Sequence, residues 1–315
     1  MSAFDRRITP ARPDLAAAHL KGVVEAPRYV EGHAMRIIAG VAPMRRAPAA
    51  HSGLETEAMF GESATIYEIA GGWAWGQLDR DGYVGYLPEV ALGAPAAPTH
   101  RLAALRSFLY SEPSIKSPVA TVVSLDARLT IVEADEDVWL CDNGAYVYAR
   151  HVAPLPSSLR AEGEAIQGLA YTAPGLLRRF APRNDGLETD FVTVAERFVG
   201  VPYLWGGRTS LGLDCSGLVQ TALRACGVAA PRDSDMQERA LGEALPEDRA
   251  ELRRGDLVFW KGHVGMMRDA THLLHANGWT MTVASEPLAE ARARIIAQNG
   301  GPITSIRRLS LFLAE

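Results

Sequence analysis

A pattern of about 60 residues occurs twice between residues 29 and 156, and it restricts the folds open to this half of the chain. In each copy, a strand with tryptophan precedes a glycine turn and an aromatic strand. The matching residues are Trp73, Trp75, Tyr83 and Tyr86 in the first copy and Trp139, Tyr146 and Tyr148 in the second. Period-two alternation of apolar and polar residues, as in ATIYEIAGGWAWGQLDRDGYVGYL, predicts a small antiparallel β-barrel for each copy.

The domain boundaries follow from where these patterns begin and end. We place the first barrel at residues 29–95, after an N-terminal segment at 1–28, and the second barrel at 99–156. The stretch GAPAAPTH, residues 93–100, is the predicted seam, because its prolines cannot donate hydrogen bonds to a sheet.

The rest of the chain has a different pattern. Two prolines interrupt the helical spacing of residues 157–185, which predicts a linker with a helical turn or two. Helical spacing returns in ETDFVTVAERFVGVPY, where Gly200 and Pro202 end the predicted helix, and in CSGLVQTALRACGV. The segments GDLVFW, VGMMRDATHLLHAN and MTVAS then predict strands of one antiparallel sheet. Helices followed by strands predict an α+β domain at residues 186–315.

Composition excludes several classes of partner. The net charge of −5 comes with scattered basic residues, which argues against a nucleic-acid partner. No window approaches the roughly 18 apolar residues of a membrane-spanning helix, and the first residues lack a secretory signal pattern, so we expect a cytoplasmic chain with no membrane partner. Three cysteines without a CxxC pair indicate reduced thiols.

Cys215 is the strongest candidate for a nucleophile. It lies at the first turn of a predicted helix, where unpaired backbone N–H groups and the helix dipole are expected to lower a thiol pKa from ~8.5 toward ~3.5–7.5. The alternative is that Cys215 is a small core residue, since free cysteine is among the most buried types. For Cys226, at the far end of the same helix, the core role is preferred.

Two histidines could complete the chemistry. His263 begins a predicted strand after a Lys-Gly turn, so it can reach into a cleft and exchange protons near neutrality. His275, twelve residues later on the neighbouring strand, could accept a hydrogen bond from the His263 ring and fix its tautomer. His272 is predicted on the opposite face, and a surface position is the alternative for each histidine. No metal or cofactor is expected.

Four segments in this order resemble one known family. They read VPYLWGGRTSLGLDCSGLVQ, PRDSDMQ, GDLVFWKGHVGMM and LLHANG, and they resemble the NlpC family of papain-like cysteine peptidases, which cleave bacterial cell-wall peptides. The N-terminal repeat is similar to the bacterial SH3-like domains found before this catalytic domain. Two such barrels with the peptidase resemble the cytoplasmic subgroup of γ-D-glutamyl-L-diamino acid endopeptidases, or dipeptidyl-peptidase VI, which recycles murein peptides.

The resemblance implies roles for individual residues. Cys215 would be the nucleophile, His263 the base and His275 the orienting residue. Tyr203 would stabilise the oxyanion together with the Cys215 backbone N–H. One departure from relatives is Gly262, where a second histidine can occur.

The resemblance also implies a set of substrate-binding residues. Those expected to line the cleft are Trp205, Asp214, Ser216, Asp233 and Ser234. Glu57 and Tyr83 of the first barrel would close over the substrate amino terminus, with Tyr86 as the alternative to Tyr83.

The expected activity is therefore hydrolysis, by a cysteine peptidase, of the bond between γ-D-Glu and a diamino acid in free murein peptides that begin with L-Ala. Three alternatives stay open. The chain could be an exported peptidoglycan hydrolase that acts on polymeric wall, a non-catalytic cell-wall peptide-binding module, or an acyltransferase, because a papain-like arrangement supports any thioester chemistry.

Overall fold

The computed structural model describes residues 4–155, 188–246 and 251–309. The chain divides into two compact units, Met1–Gly168 and Leu169–Glu315. The linker predicted at 157–185 lies outside the described residues. Within the three described ranges, no helix combines the length and hydropathy needed to cross a bilayer.

The N-terminal segment packs onto the first β region. It contributes a three-stranded sheet of β1 (Ala11–Arg12), β2 (Leu15–Ala17) and β3 (Tyr29–Val30). Leu15 and Ala17 are fully buried in a cluster with Tyr67 and Trp75. The segment predicted at 1–28 therefore covers apolar side chains that would otherwise face water.

The first β region is a seven-stranded antiparallel sheet. Its strands are β4 (His33–Ile37), β5 (Val41–Arg45), β6 (Leu54–Met59), β7 (Ser63–Ala70), β8 (Trp73–Leu78), β9 (Val84–Pro88) and β10 (Leu92–Gly93), in the order β10-β4-β7-β8-β9-β5-β6. A 3₁₀ helix, Glu89–Ala91, joins the last two strands. Burial alternates along β5 and β9, which places Met44 and Leu87 in one core.

The second β region ends, like the first, with a strand, a 3₁₀ helix and a short final strand. Its strands are β11 (His100–Leu102), β12 (Arg106–Tyr110), β13 (Val119–Ser124), β14 (Arg128–Leu129), β15 (Ile131–Ala134), β16 (Val138–Cys141), β17 (Tyr146–Tyr148) and β18 (Val152–Pro154), with a 3₁₀ helix, Ala149–His151, before the last. They form sheets ordered β14-β11-β18 and β13-β12-β17-β16-β15. The predicted seam lies between β10 and β11, and the identity of this region as a second SH3-like barrel stays a prediction.

The two β regions touch through their backbones. The Arg128 N–H donates to the Phe60 carbonyl at 2.9 Å, and Phe60 packs into the core of the second region. A Cβ atom at Gly61 would lie 1.8 Å from the Arg128 carbonyl oxygen, and Gly61 has φ +77°. Only glycine fits this approach and this conformation.

The C-terminal unit places helices before a sheet, as predicted for an α+β domain. The helices are α1 (Phe191–Glu196), α2 (Cys215–Ala225), α3 (Ser234–Ala240) and, later in the chain, α4 (Leu288–Ala297). The strands are the hairpin β19 (Arg208–Thr209) and β20 (Gly212–Leu213), then β21 (Glu243–Leu245), β22 (Leu257–Trp260), β23 (His263–Met267), β24 (His272–Asn277), β25 (Thr282–Pro287) and β26 (Ser305–Arg308).

The last six strands form one sheet in the order β21-β26-β22-β23-β24-β25, all antiparallel. The three segments predicted as strands form four strands of this sheet, β22 to β25. Helix α1 is shorter than expected, because residues 197–199 form a turn of i to i+3 hydrogen bonds after Glu196. Helix α4 was not predicted.

Candidate active site

Helix α2 begins at Cys215 and is fixed at that end by Asp214. The Asp214 carboxylate accepts a hydrogen bond of 2.7 Å from the Gly217 N–H, as an N-cap does. A Cβ atom at Gly217 would lie 2.2 Å from the Gly207 carbonyl oxygen. The helix start can therefore pack directly against the preceding loop, which leaves Cys215 only 7% exposed.

The thiol of Cys215 is held beside the base candidate. Its sulfur accepts hydrogen bonds from the backbone N–H groups of Ser216 and Val264, and Val264 directly follows His263 on β23. The structure thus brings together two residues that are distant in the sequence.

The expected direction of the Cys215 pKa was wrong. Burial, followed by the negative charge of Asp214, raises the pKa of Cys215 to about 12 and outweighs the two backbone N–H groups. The thiol is therefore neutral in the resting site. Helix-dipole reasoning considers only the local chain, whereas the loss of solvent at this buried position is set by the whole domain.

His263 and His275 face each other on β23 and β24. Nε2 of His263 lies 2.8 Å from Nδ1 of His275, and the ring centroids are 5.0 Å apart. His275 is 1% exposed, whereas exposed His272 lies on the other face. Burial, followed by the electrostatic effects of His275 and Arg294, lowers the pKa of His263 to about 3, so His263 is a neutral imidazole at physiological pH.

The turn before His263 explains the departure noted at Gly262. Lys261 and Gly262 connect β22 to β23, and Gly262 has φ +77°. A left-handed conformation at this position favours glycine. No histidine side chain is therefore available beside the base.

Two residues missed by the sequence patterns extend the histidine pair. Glu286, on β25, has an oxygen 2.7 Å from Nε2 of His275. Arg294, on α4, donates from both terminal nitrogens to both oxygens of Glu286. The hydrogen bond from His275, and then Arg294, lowers the pKa of Glu286 to about 2. The only available signal was a carboxylate on the strand after His275.

Tyr203 lies near the thiol, as expected. Its backbone N–H donates to the Met281 carbonyl at 2.8 Å, and residue 203 forms a bridge with Leu213, two residues before Cys215. Burial, followed by the electrostatic effect of the nearby Cys215 and Asp214, raises the pKa of the Tyr203 phenol above its usual range. The hydroxyl therefore stays protonated and can donate a hydrogen bond.

Asp214 is engaged by protein donors on both oxygens. Arg232 donates to them at 2.6 and 2.9 Å, and the Gly206 N–H donates at 2.8 Å. Ser216 adds a hydrogen bond of 3.2 Å from its hydroxyl. This arrangement favours a positioning role for the Asp214 side chain, while its predicted contact with substrate stays a prediction.

Asp233 and Ser234 lie at the start of α3, next to this cluster. Gln237 on the same helix donates from Nε2 to the Ser216 and Pro231 carbonyls at 2.9 Å each, which ties α3 to the first turn of α2. Asp233 and Ser234 are half-buried, whereas Trp205 is 68% exposed. Asp214, Ser216, Asp233 and Ser234 therefore lie around the start of α2. Trp205, next to Gly206 of the same cluster, has its ring open to solvent.

Glu57 and Tyr83 belong to the N-terminal unit. Glu57 lies on β6 and Tyr83 just before β9, and they are 7% and 2% exposed. Tyr83 packs in the first core and its hydroxyl lies 3.4 Å from Glu55, while Tyr86 lines the cluster that contains Trp75. Their roles in binding substrate stay predictions. The part of the chain that the structure describes contains no group of three or more His, Cys, Asp or Glu able to hold a metal ion.

A cysteine at a helix start, packed against an antiparallel sheet that carries two hydrogen-bonded histidines, defines the papain-like class of cysteine hydrolases. Residues 200–294 match the NlpC/P60 family, and residues 44–92 match the bacterial dipeptidyl-peptidase Sh3 domain. The chain therefore carries an NlpC/P60 domain and is a peptidase.

Individual relatives agree with this assignment. Over 268 residues the chain is 27% identical to gamma-D-glutamyl-L-lysine dipeptidyl-peptidase of Bacillus cereus, covering 78% of this chain and 71% of that protein. It is 36% identical over 110 residues to peptidoglycan endopeptidase RipB of Mycobacterium tuberculosis, covering 30% of this chain and 44% of RipB. The crystal structure of an NlpC/P60 family protein from Bacillus cereus matches with a TM-score of 0.65 at 22% identity, covering 88% of this chain and 99% of that one, which shows a shared fold.

Proposed function

We propose that this peptidase hydrolyses the bond between γ-D-glutamate and a diamino acid in free murein peptides that begin with L-Ala, and that it acts in cell-wall peptide recycling in the cytoplasm. The observation that carries the chemistry is the 2.8 Å contact between His263 and His275 beside the Cys215 thiol. Substrate choice is supported by the relative named gamma-D-glutamyl-L-lysine dipeptidyl-peptidase.

The reaction begins from a neutral pair. Nε2 of His263 is engaged by His275, so Nδ1 is the ring nitrogen available to the thiol. Burial disfavours a lone thiolate and a lone imidazolium, whereas moving the proton from Cys215 to His263 creates both charges together, and each stabilises the other. The sulfur then attacks the scissile carbonyl carbon in the same event.

The remaining steps use the same groups. The oxyanion is stabilised by the Cys215 backbone N–H at the positive end of α2 and by the Tyr203 hydroxyl. His263 returns its proton to the departing amine, which leaves a thioester on Cys215. A water molecule activated by His263 hydrolyses the thioester and restores the thiol.

The test is a mass-spectrometric product profile on three substrates, namely L-Ala-γ-D-Glu-diamino acid tripeptide, its N-acetylated form and intact peptidoglycan. We expect L-Ala-γ-D-Glu and a free diamino acid from the first substrate, and little product from the others. Cys215→Ala serves as the inactive control, while Cys226→Ala and Cys141→Ala should stay within a few-fold of wild type because both thiols are buried packing residues.

An exported hydrolase that acts on polymeric wall is the second candidate, favoured by the match to RipB. Release of soluble peptides from intact peptidoglycan at a rate comparable to tripeptide cleavage would support it and contradict the first proposal. Binding of the tripeptide without any product from wild-type enzyme would instead indicate a binding module.

A further inference from the structure

His275 has a defined proton position because of its second neighbour. Its side chain is fully buried, and Nε2 lies 2.7 Å from a Glu286 oxygen. An ionised carboxylate only accepts hydrogen bonds, so Nε2 must carry the proton of this contact. When His275 carries a single ring proton, that proton is on Nε2, and Nδ1 of His275 presents a lone pair.

That lone pair determines the state of the base. Nδ1 of His275 can only accept across the 2.8 Å contact, so Nε2 of His263 must donate. The single proton of neutral His263 is then on Nε2. Its Nδ1 is left unprotonated and can take the proton of the Cys215 thiol.

Arg294 secures the carboxylate at the start of this chain of contacts. It donates from both terminal nitrogens to both Glu286 oxygens, which fixes the plane of the carboxylate and favours its ionised form. The Arg294 guanidinium also lies over the Trp279 ring, 5.6 Å from its centroid. The side chains of Glu286 and Arg294 are 16% and 17% exposed, so both are largely shielded from solvent.

We propose that Glu286 and Arg294 are positioning residues that hold His275 in the tautomer protonated at Nε2, and so make Nδ1 of His263 the base. This inference rests on the proposed roles of Cys215 and His263. It assigns a function in catalysis to the end of β25 and to α4. Neither residue needs to contact substrate.

The experiment compares Glu286→Gln with Glu290→Gln. Glu290 lies on the exposed side of α4 and acts electrostatically on Arg294, so its variant loses the same charge without touching His275. For Glu286→Gln we expect kcat to fall about 10- to 100-fold with KM within about twofold, as when an outer partner of a functional histidine is removed. Glu290→Gln should stay near wild type.

A second readout reports the tautomer directly. Imidazole ¹⁵N shifts of histidine-labelled protein, assigned with a His275→Gln variant, should show the His275 proton on Nε2 in wild type and in Glu290→Gln. They should show a mixed or reversed tautomer in Glu286→Gln. Because no substrate is used, this result stands even if the enzyme cleaves a different bond from the one proposed.

Arg294→Lys covers the case in which Glu286→Gln fails to fold. It keeps the positive charge but loses the paired donation, so a smaller fall in kcat and the same direction of tautomer change are expected. The proposal is overturned by a wild-type signal with the proton on Nδ1 of His275. Wild-type kcat and shifts in Glu286→Gln, or equal losses in Glu286→Gln and Glu290→Gln, would overturn it as well.

Discussion

At the scale of single residues, Cys215 combines a catalytic position with a raised pKa. The thiol is nearly inaccessible to solvent, so the thiolate is not stored in the resting site. The neutral His263 beside it is ready to accept a proton over the whole physiological pH range. These two shifts predict that the thiolate forms during the attack and is not held beforehand in a thiolate–imidazolium pair.

Alkylation of Cys215 by iodoacetamide tests this state. Because the pKa of Cys215 is raised to about 12, the thiolate fraction and the alkylation rate should rise about tenfold per pH unit between pH 7 and 9, with no plateau. The rate is measured by mass spectrometry of the peptide that contains Cys215, with denatured protein as the reference for an unshifted thiol. A rate that levels off below pH 7 would indicate a preformed ion pair instead.

The sequence was sufficient to place Cys215, His263 and His275 on a helix start and on adjacent strands. It was insufficient to find the residues that join the site through tertiary contacts. Cys215 at a helix start and the two histidines on adjacent strands each follow from periodicity. Glu286 and Arg294 reach His275 only because β25 pairs with β24 and α4 packs back on them. No local pattern encodes that contact, just as no local pattern encodes the burial that raises the pKa of Cys215.

At the scale of elements, the start of α2 is fixed by close packing. Gly217 lets the helix approach the loop at Gly207, and the Asp214–Arg232 pair closes the same region from the side. The nucleophile is thus held by a backbone contact at Gly217 and a buried ion pair at Asp214, which lie two residues after it and one residue before it. Small displacements of α2 should therefore affect catalysis directly.

Gly217→Ala tests the backbone contact. Its Cβ would lie 2.2 Å from the Gly207 carbonyl oxygen, so the helix start must move. We expect the C-terminal unit to be destabilised by about 1–3 kcal/mol, as in overpacked sites, and kcat to fall. Thermal unfolding followed by circular dichroism and kcat measured on the same samples provide the check.

Gly53→Ala is the matched control, because a Cβ atom there would meet nothing within 4 Å. It should leave both the unfolding transition and kcat close to wild type. If Gly217→Ala behaves like Gly53→Ala, the close approach does not constrain α2.

At the scale of the whole molecule, the chain couples a peptidase domain to a unit rich in β-structure. The match to the dipeptidyl-peptidase Sh3 domain spans residues 44–92, which include Glu57 and Tyr83. The β regions were predictable because strand periodicity and turn residues repeat in the sequence. The cover formed by β1 to β3 was not, because its strands have only two or three residues each.

If the N-terminal unit reads the substrate amino terminus, acetylating the L-Ala nitrogen should lower kcat/KM at least tenfold. Losing a charge-assisted contact between the amine and a carboxylate costs about 1–3 kcal/mol, and about 1.4 kcal/mol corresponds to tenfold. Glu57→Ala should reduce this discrimination. Steady-state kinetics on free and acetylated tripeptide measure it.

The control for this prediction is Glu89→Ala, which removes an exposed glutamate from the same β region. It should discriminate between the two peptides as wild type does. Equal rates of wild type on both peptides would remove the basis for assigning Glu57 to amino-terminal recognition. Reactivity of Cys215 toward iodoacetamide should be unchanged in both variants, since neither alters the thiol.

Gly61 limits how the N-terminal unit can be recombined. The proline-containing seam at residues 93–100 looks like a natural site for exchanging one β region for another by gene fusion. The spatial join, however, is at Gly61 and Phe60, where the chain of the first region meets the Arg128 carbonyl and fills the core of the second. A chimera cut at the seam would uncover Phe60 and lose a fitted partner for Gly61, so the two β regions have to be exchanged together.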